Sequence, residues 1–146
     1  MAKKIIQLGQ VNELKTAVIV VTIRNEVHEP IMGSMLLTLV CTLYDQDTQF
    51  DTAGTINGRD EQDILGITLG PPPGAGANVR VNGGLIDENG VLNLRFDPAD
   101  NPIIDPTKDV ENHMILLEWT WLDDGVPKFG GQEFVLPVAN LNKIAA

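Results

Sequence analysis

Residues 110–122 read VENHMILLEWTWL. Taken two at a time, Ile115, Leu117, Trp119 and Trp121 fall on one side of an extended strand, and Met114, Leu116, Glu118, Thr120 and Leu122 fall on the other. The first side is wholly apolar and holds both tryptophans of the chain, so it is expected to face a core. Glu118 and Thr120 let the second side meet water or polar partners. The pattern predicts the central strand of an all-β protein.

Downstream, Asp123-Asp124-Gly125 predicts a sharp reversal, and the strand returning over 128–141 carries Gly130-Gly131, which suggests a bulge. Pro127 and Pro137 mark that strand as an edge, because proline donates nothing to a ladder. Upstream, residues 91–96 alternate, with Leu92, Leu94 and Phe96 opposed to Val91, Asn93 and Arg95. A short strand over 79–82 precedes them, separated by GGLIDENG, in which Asn89-Gly90 marks a tight turn. The loop FDPADNPIIDP places Asp97, Asp100 and Asp105 beside prolines, where aspartate caps turns through its side-chain oxygens.

Nearer the start, TAVIVVTIR (16–24) is apolar on both sides and reads as an interior strand. SMLLTLVCTLY (34–44) reads as a long half-buried strand with Met35, Leu37, Leu39, Cys41 and Leu43 on one face. The polar segment after it carries Asn57-Gly58 as a hairpin signal, and RDEQDIL (59–65) has the composition of one helical turn. Seven or eight short strands with turn dipeptides between them predict an antiparallel β-sandwich, immunoglobulin-like, with long loops and a short N-terminal arm. Leu37, Leu39, Leu94, Phe96, Leu117 and Trp119 are the expected core.

Two segments stand outside that frame. Residues 1–15 form a basic arm, read either as a terminal extension or as a strand added to a neighbouring subunit's sheet; residues 16–146 are the single domain. ITLGPPPGAGANVRV contains Pro71, Pro72 and Pro73, which favour polyproline II, followed by small residues. It reads as a surface loop or as a projecting contact finger. Lys3, Lys4, Ile5 and Ile6 on the arm and Pro71, Pro72 and Pro73 on the finger are the candidate partner contacts.

Composition narrows the function. A chain of 146 residues with 43% hydrophobic content can bury one sizeable core, and its longest apolar run, AVIVV, is far short of the ~20 residues of a spanning helix. No membrane partner is expected. The formal charge of −10 argues against nucleic acid, which needs a basic surface. Lys3-Lys4 is followed by too few apolar residues for an export signal. The lone Cys41 reads as a small buried hydrophobe rather than a nucleophile, and the chain fits a reducing compartment or one that never needed oxidation.

No catalytic pattern emerges. The single serine, Ser34, lacks the G-x-S-x-G elbow. His28 lies in a loop, and His113 starts the central strand on its apolar side. Asp45, Asp47 and Gln49 resemble the opening of a calcium loop, but Phe50 replaces the required glycine and Ile56 the closing glutamate. Asp97, Asp100 and Asp105, or Asp123 and Asp124, offer carboxylates for an ion, with turn capping the simpler use of each. GPPPGAGAN lacks the lysine and the helix start of a phosphate loop, and Glu118 stands alone on its strand. Neither an enzyme nor a cofactor or metal is expected.

With the strands placed, TLYDQDT, TINGRDEQDILG, NGVLNLRFDPADNPIID, VENHMILLEWTW and EFVLPVANLNKI resemble small immunoglobulin-like structural proteins of tailed bacteriophages. These include head and tail accessory proteins and domains similar to the amino-terminal domain of upper-baseplate proteins. The resemblance spans 16–144, and its most telling elements are GVLNLRF, DPADN, HMILLEWTW and the final L-x-V-x-N-L strand. It implies a non-enzymatic virion component, made in the bacterial host cytoplasm and acting in many copies or as a homo-oligomer. The expected role is capsid decoration, with the major capsid protein as partner; a neck, tail or baseplate accessory role is the alternative. A carbohydrate-binding module is the competing class, and it needs a row of exposed aromatics in a chain with 5% of them.

Overall fold

The computed structural model describes residues 5–46, 54–64 and 84–141. Among the described residues, nine strands divide between two sheets: β1 (Ile5–Gln7), β2 (Val11–Asn12), β3 (Ala17–Thr22), β4 (Leu36–Asp45), β5 (Gln62–Asp63), β6 (Gly84–Ile86), β7 (Val91–Phe96), β8 (Val110–Asp123) and β9 (Val126–Ala139). The larger sheet runs β1-β9-β8-β4-β5, with β2 also on β9, and the smaller runs β3-β7-β6. The predicted all-β class holds.

β8 is the centre of the larger sheet. It pairs antiparallel with β4 on one side and, over its full length, with β9 on the other. Asp124 and Gly125 both take left-handed φ (52° and 80°), making the two-residue turn whose twist suits a hairpin. Ile115, Leu117, Trp119 and Trp121 are buried as their spacing predicts. They join one apolar cluster with Leu39, Cys41 and Leu43 of β4, Phe134 and Leu136 of β9, and Ile19, Ile86, Leu92, Leu94 and Phe96 of the smaller sheet. Two sheets share one core. On the opposite face of the larger sheet, Tyr44, Met114 and Val135 make a second small cluster, so that face is not wholly polar.

Several expectations need correction. Leu37, expected in the core, is 48% exposed, because the β4–β8 register shifts between Leu36 and Thr38 and turns Leu36 inward instead. β3 is not covered on both faces as an interior strand would be: Val18 and Val20 are 56% and 59% exposed, and among the described residues it pairs with β7 alone. Residues 59–64 are not helical, since Gln62–Asp63 pair with β4 as β5. GGLIDENG is only half turn, because Gly84–Ile86 is β6. The strand expected over 79–82 and the finger with Pro71, Pro72 and Pro73 lie outside the described residues.

The glycine pair in β9 is not a bulge, as the β8–β9 register runs unbroken through Gly130 and Gly131. Gly130 is instead demanded by packing: a Cβ there would stand 2.6 Å from Trp119 Nε1. Gly90 serves a comparable need at the 87–90 turn, with φ +77° and the Ile31 carbonyl 2.6 Å from where a Cβ would be.

The arm makes the larger sheet mixed rather than antiparallel. β1 and β2 run parallel to β9 of their own chain, at Glu133–Val135 and Val138–Ala139. Pro137, which has no N–H to give, falls in the gap between those two pairings. Leu8 and Val11 pack on the core, Leu8 N donates to the Val135 carbonyl, and Glu13 accepts from Leu141 N. The six-to-three division of strands and the parallel arm depart from the four-and-three split of an immunoglobulin constant-type sandwich.

Candidate functional site

The arm covers β9 only from Glu133 onward, so along 126–132 the strand has no neighbour but β8 among the described residues. This open edge continues into a groove on the outer face of the sheet. Phe129, Gly131 and Glu133 of β9 lie opposite Thr120, Glu118 and Leu116 of β8, and Gly131 contributes no side chain. The gap between Phe129 and Glu133 is a depression of about 450 Å³ lined by Leu116, Glu118, Phe129 and residues 130–133. Phe129 is 78% exposed, with Val126 and Leu122 exposed beyond it. An aromatic ring held out beside an unpaired sheet edge and a Glu118–Glu133 rim suits an extended segment carrying an apolar residue and a cation.

Of the expected contact residues, Ile5 and Ile6 are exposed on β1, and Ile5 pairs with Glu133 at the end of that groove. The structure brings these two together with the open edge. Lys3 and Lys4, like the proline finger, lie outside the described residues. Phe129 had no role in the sequence reading. Its signal was a single aromatic between Pro127 and a glycine pair, in a stretch read only for backbone.

Two polar centres lie inside. In the first, Arg59 donates to Asp100 through Nε (2.7 Å to Oδ1) and Nη2 (3.1 Å to Oδ2), and through Nη1 to Gln62 Oε1 (2.9 Å). Asp100 also accepts from Asn57 Nδ2 and from Asp97 N. The guanidinium carbon stands 5.1 Å from the centre of the Phe96 ring. Burial works against the charge of Arg59, but the hydrogen bonds and charge of Asp100 outweigh it and raise its pKa. Asp100 therefore caps the Pro98–Asp100 turn, as expected, and also anchors the 57–62 segment to it.

The second centre lies where β4 ends and β8 begins. Asp45 sits directly across from His113, and Glu111 is two residues before His113 on the same side of β8. All three are buried, with Glu111 and His113 fully so. Glu111 accepts from His113 Nε2 (2.7 Å), Ile104 N (2.8 Å) and Asp105 N (2.7 Å), fixing the 104–105 loop to the strand. His113 Nδ1 is buried without a hydrogen-bond partner. One donor atom from each residue lies within 4.8 Å of the other two, so this trio can reach a common ion. It was missed because Asp45 meets His113 only through strand register, although the E-x-H spacing on one face was visible.

Asp97, Asp100, Asp105, Asp123 and Asp124, the other carboxylates weighed for an ion, do not converge in this way among the described residues. Asp105 accepts from Thr107, Asp97 pairs with Arg95 at 3.2 Å, and Asp123 pairs with Lys128 at 2.7 Å. Ser34 donates to Glu88, and His28 sits in an exposed turn with φ 64°; neither has a catalytic companion among the described residues.

Cys41 is fully buried, and burial pushes its thiol up from an ordinary 9.0 to about 12, opposed by the nearby Arg59 charge. The native protein is therefore expected to resist thiol reagents at pH 8 until unfolded. The folded chain keeps a proton that the unfolded chain releases above pH 9.0, so this group's contribution to stability declines as pH rises from 9.0 toward about 12. Alkylation of Cys41 in native protein at the rate of a free thiol would contradict this burial.

Comparison with protein-family models returned no match, and neither did comparison with curated proteins.

Proposed function

We propose that this chain is a non-enzymatic structural protein of a tailed bacteriophage virion, made in the host cytoplasm and attached to the particle in many copies. Capsid decoration, bridging neighbouring major-capsid subunits, is the reading we favour. The resemblance carries the virion assignment, and the two-sheet fold is read as a variant of the immunoglobulin-like sandwich with a parallel arm added. The observation that supports attachment is the open edge of β9 with Phe129 beside it, a surface suited to receiving a partner's extended segment. Trp119 and Trp121 are both buried, which counts against a carbohydrate platform.

Copies per particle, measured against the major capsid protein, test the reading. A stoichiometry near that of the capsid protein supports decoration, a ring-like number moves the protein to the neck or tail, and absence from particles defeats both. Phe129→Asp is expected to change folding stability by no more than about 0.5 kcal/mol, as an exposed substitution. It should weaken attachment to particles stripped of the protein by tenfold or more, on the order of a central interface residue. Unchanged attachment would remove the β9 edge from the interface.

A further inference from the structure

We propose that the open edge of β9 binds, by strand addition, an extended basic segment of another protein, whose lysine or arginine enters the gap over Gly131 to meet Glu118 and whose apolar residue two positions away covers Phe129. The inference rests on the reading of this edge as the attachment surface, and it names the chemistry of what attaches.

Three observations carry it. The first is the backbone. Leu8 N donates to the Val135 carbonyl, so by alternation the odd-numbered residues of β9 turn their N–H and C=O toward this edge. Along 128–132 these are Phe129 and Gly131, and neither has a partner on that side among the described residues. β1 already occupies the same edge from Glu133 onward, so a further strand along 128–132 continues a pairing that the sheet accepts.

The second is the gap. Gly131 leaves the depression of about 450 Å³ between Phe129 and Glu133, and Glu118 leans over it, its Cγ 3.7 Å from where a Cβ on Gly131 would be. In an added strand, the residue beside Gly131 points its side chain into this depression, and one two positions away stands beside Phe129.

The third is charge. Glu118 is half-buried and makes no hydrogen bond or ion pair through its carboxylate among the described residues. Leu116 and Phe129 wall the depression with apolar surface, which suits the methylene stem of a long cationic side chain. On its β4 side Glu118 shares a second depression with Glu61, so the groove is acidic on both sides of β8. A second copy of β9 does not supply the missing cation. Lys128, the one Lys or Arg of 126–132, falls on the opposite face from Phe129 and pairs with Asp123 at 2.7 Å.

A short blocked peptide of threonines, with one lysine and a leucine two residues to either side of it, tests this on the full chain by fluorescence anisotropy. The same peptide with glutamate for lysine is the control. The lysine peptide should bind roughly tenfold or more tightly than the control, and Glu118→Gln should weaken it by a similar factor without moving the melting midpoint. Its binding should fall as salt rises. No binding of the lysine peptide below about 1 mM, equal binding of the two peptides, or binding that Glu118→Gln leaves unchanged overturns the proposal. So does lysine-peptide binding that appears only after residues 2–4 are deleted, which places the chain's own Lys3 or Lys4 in the gap. A dimer that Phe129→Asp dissociates places a second copy there and also overturns it. Attachment to stripped particles separates this inference from the reading beneath it. Attachment lost in Phe129→Asp and kept in Glu118→Gln preserves the edge as the interface and removes the basic partner, whereas attachment that neither variant changes defeats the edge reading and this inference with it.

Discussion

Replacing Arg59 by alanine is expected to destabilise the fold by about 3–5 kcal/mol, the cost of leaving one member of a buried ion pair behind. Asp100 is wholly inaccessible, and the Arg59 side chain is 4% exposed. With the guanidinium gone, the carboxylate's partners among the described residues are Asn57 Nδ2 and the Asp97 N–H, both dipoles, in a region closed to water. The substitution also takes the cation from above Phe96 and the donor from Gln62. Arg59 joins two segments distant in the chain, 59–62 and 96–100, so the loss loosens β5, the 98–100 turn and the end of β7 together.

A double substitution separates the two parts of that cost. Arg59→Met with Asp100→Leu removes both charges and keeps apolar volume, and it should recover most of the stability, because desolvating the pair offsets much of its attraction. Denaturant unfolding at neutral pH measures both variants. A loss below about 1 kcal/mol for Arg59→Ala would mean that water reaches Asp100 once the arginine is removed, contrary to its complete burial here.

The contrast between this ion pair and the β8–β9 hairpin shows what was legible. In the hairpin, one apolar face of β8 and the Asp124-Gly125 turn are local signals, and they agree with the structure almost residue for residue. β7 was legible for the same reason. Leu37 was not, because a single extra residue in β4 reverses the parity on which the reading rested. β5 is two residues long in a polar segment, and only its partner strand makes it a strand. β3 was misplaced because a run apolar on both sides looks the same whether its outer face is covered or bare.

The polar centres were less legible still. Arg59 and Asp100 are 41 residues apart and meet only in the folded chain. Asp45 reaches His113 through the β4–β8 register, which the sequence does not state. In both cases the residues had been given local roles, a helical turn for Arg59 and a turn cap for Asp100, and only the second of these holds. Contact residues divide in the same way: Ile5 and Ile6 were found by their position on the arm, whereas Phe129 needed the groove around it.

Trp119→Ala is expected to cost about 3–5 kcal/mol, a large part of the ~5–15 kcal/mol that holds a typical domain together. The indole lies in the shared core with residues of both sheets, and it reaches across β9 because Gly130 opposite it has no side chain. Its Nε1 is buried without a hydrogen-bond partner, so what the residue contributes is packing volume rather than a polar contact. Trp119→Phe should therefore cost much less than the alanine variant, since it removes the unsatisfied N–H together with part of the ring. Gly130→Ala approaches the same contact from the other side: its Cβ would meet Nε1 at 2.6 Å, and the overpacking should cost about 1–3 kcal/mol. In the double variant Trp119→Phe with Gly130→Ala, the smaller ring leaves room for the methyl, and the combined loss should fall below the sum of the two. Additive losses would mean that Gly130 is needed for backbone reasons alone, and a loss under about 1 kcal/mol for Trp119→Ala would place the indole outside the core.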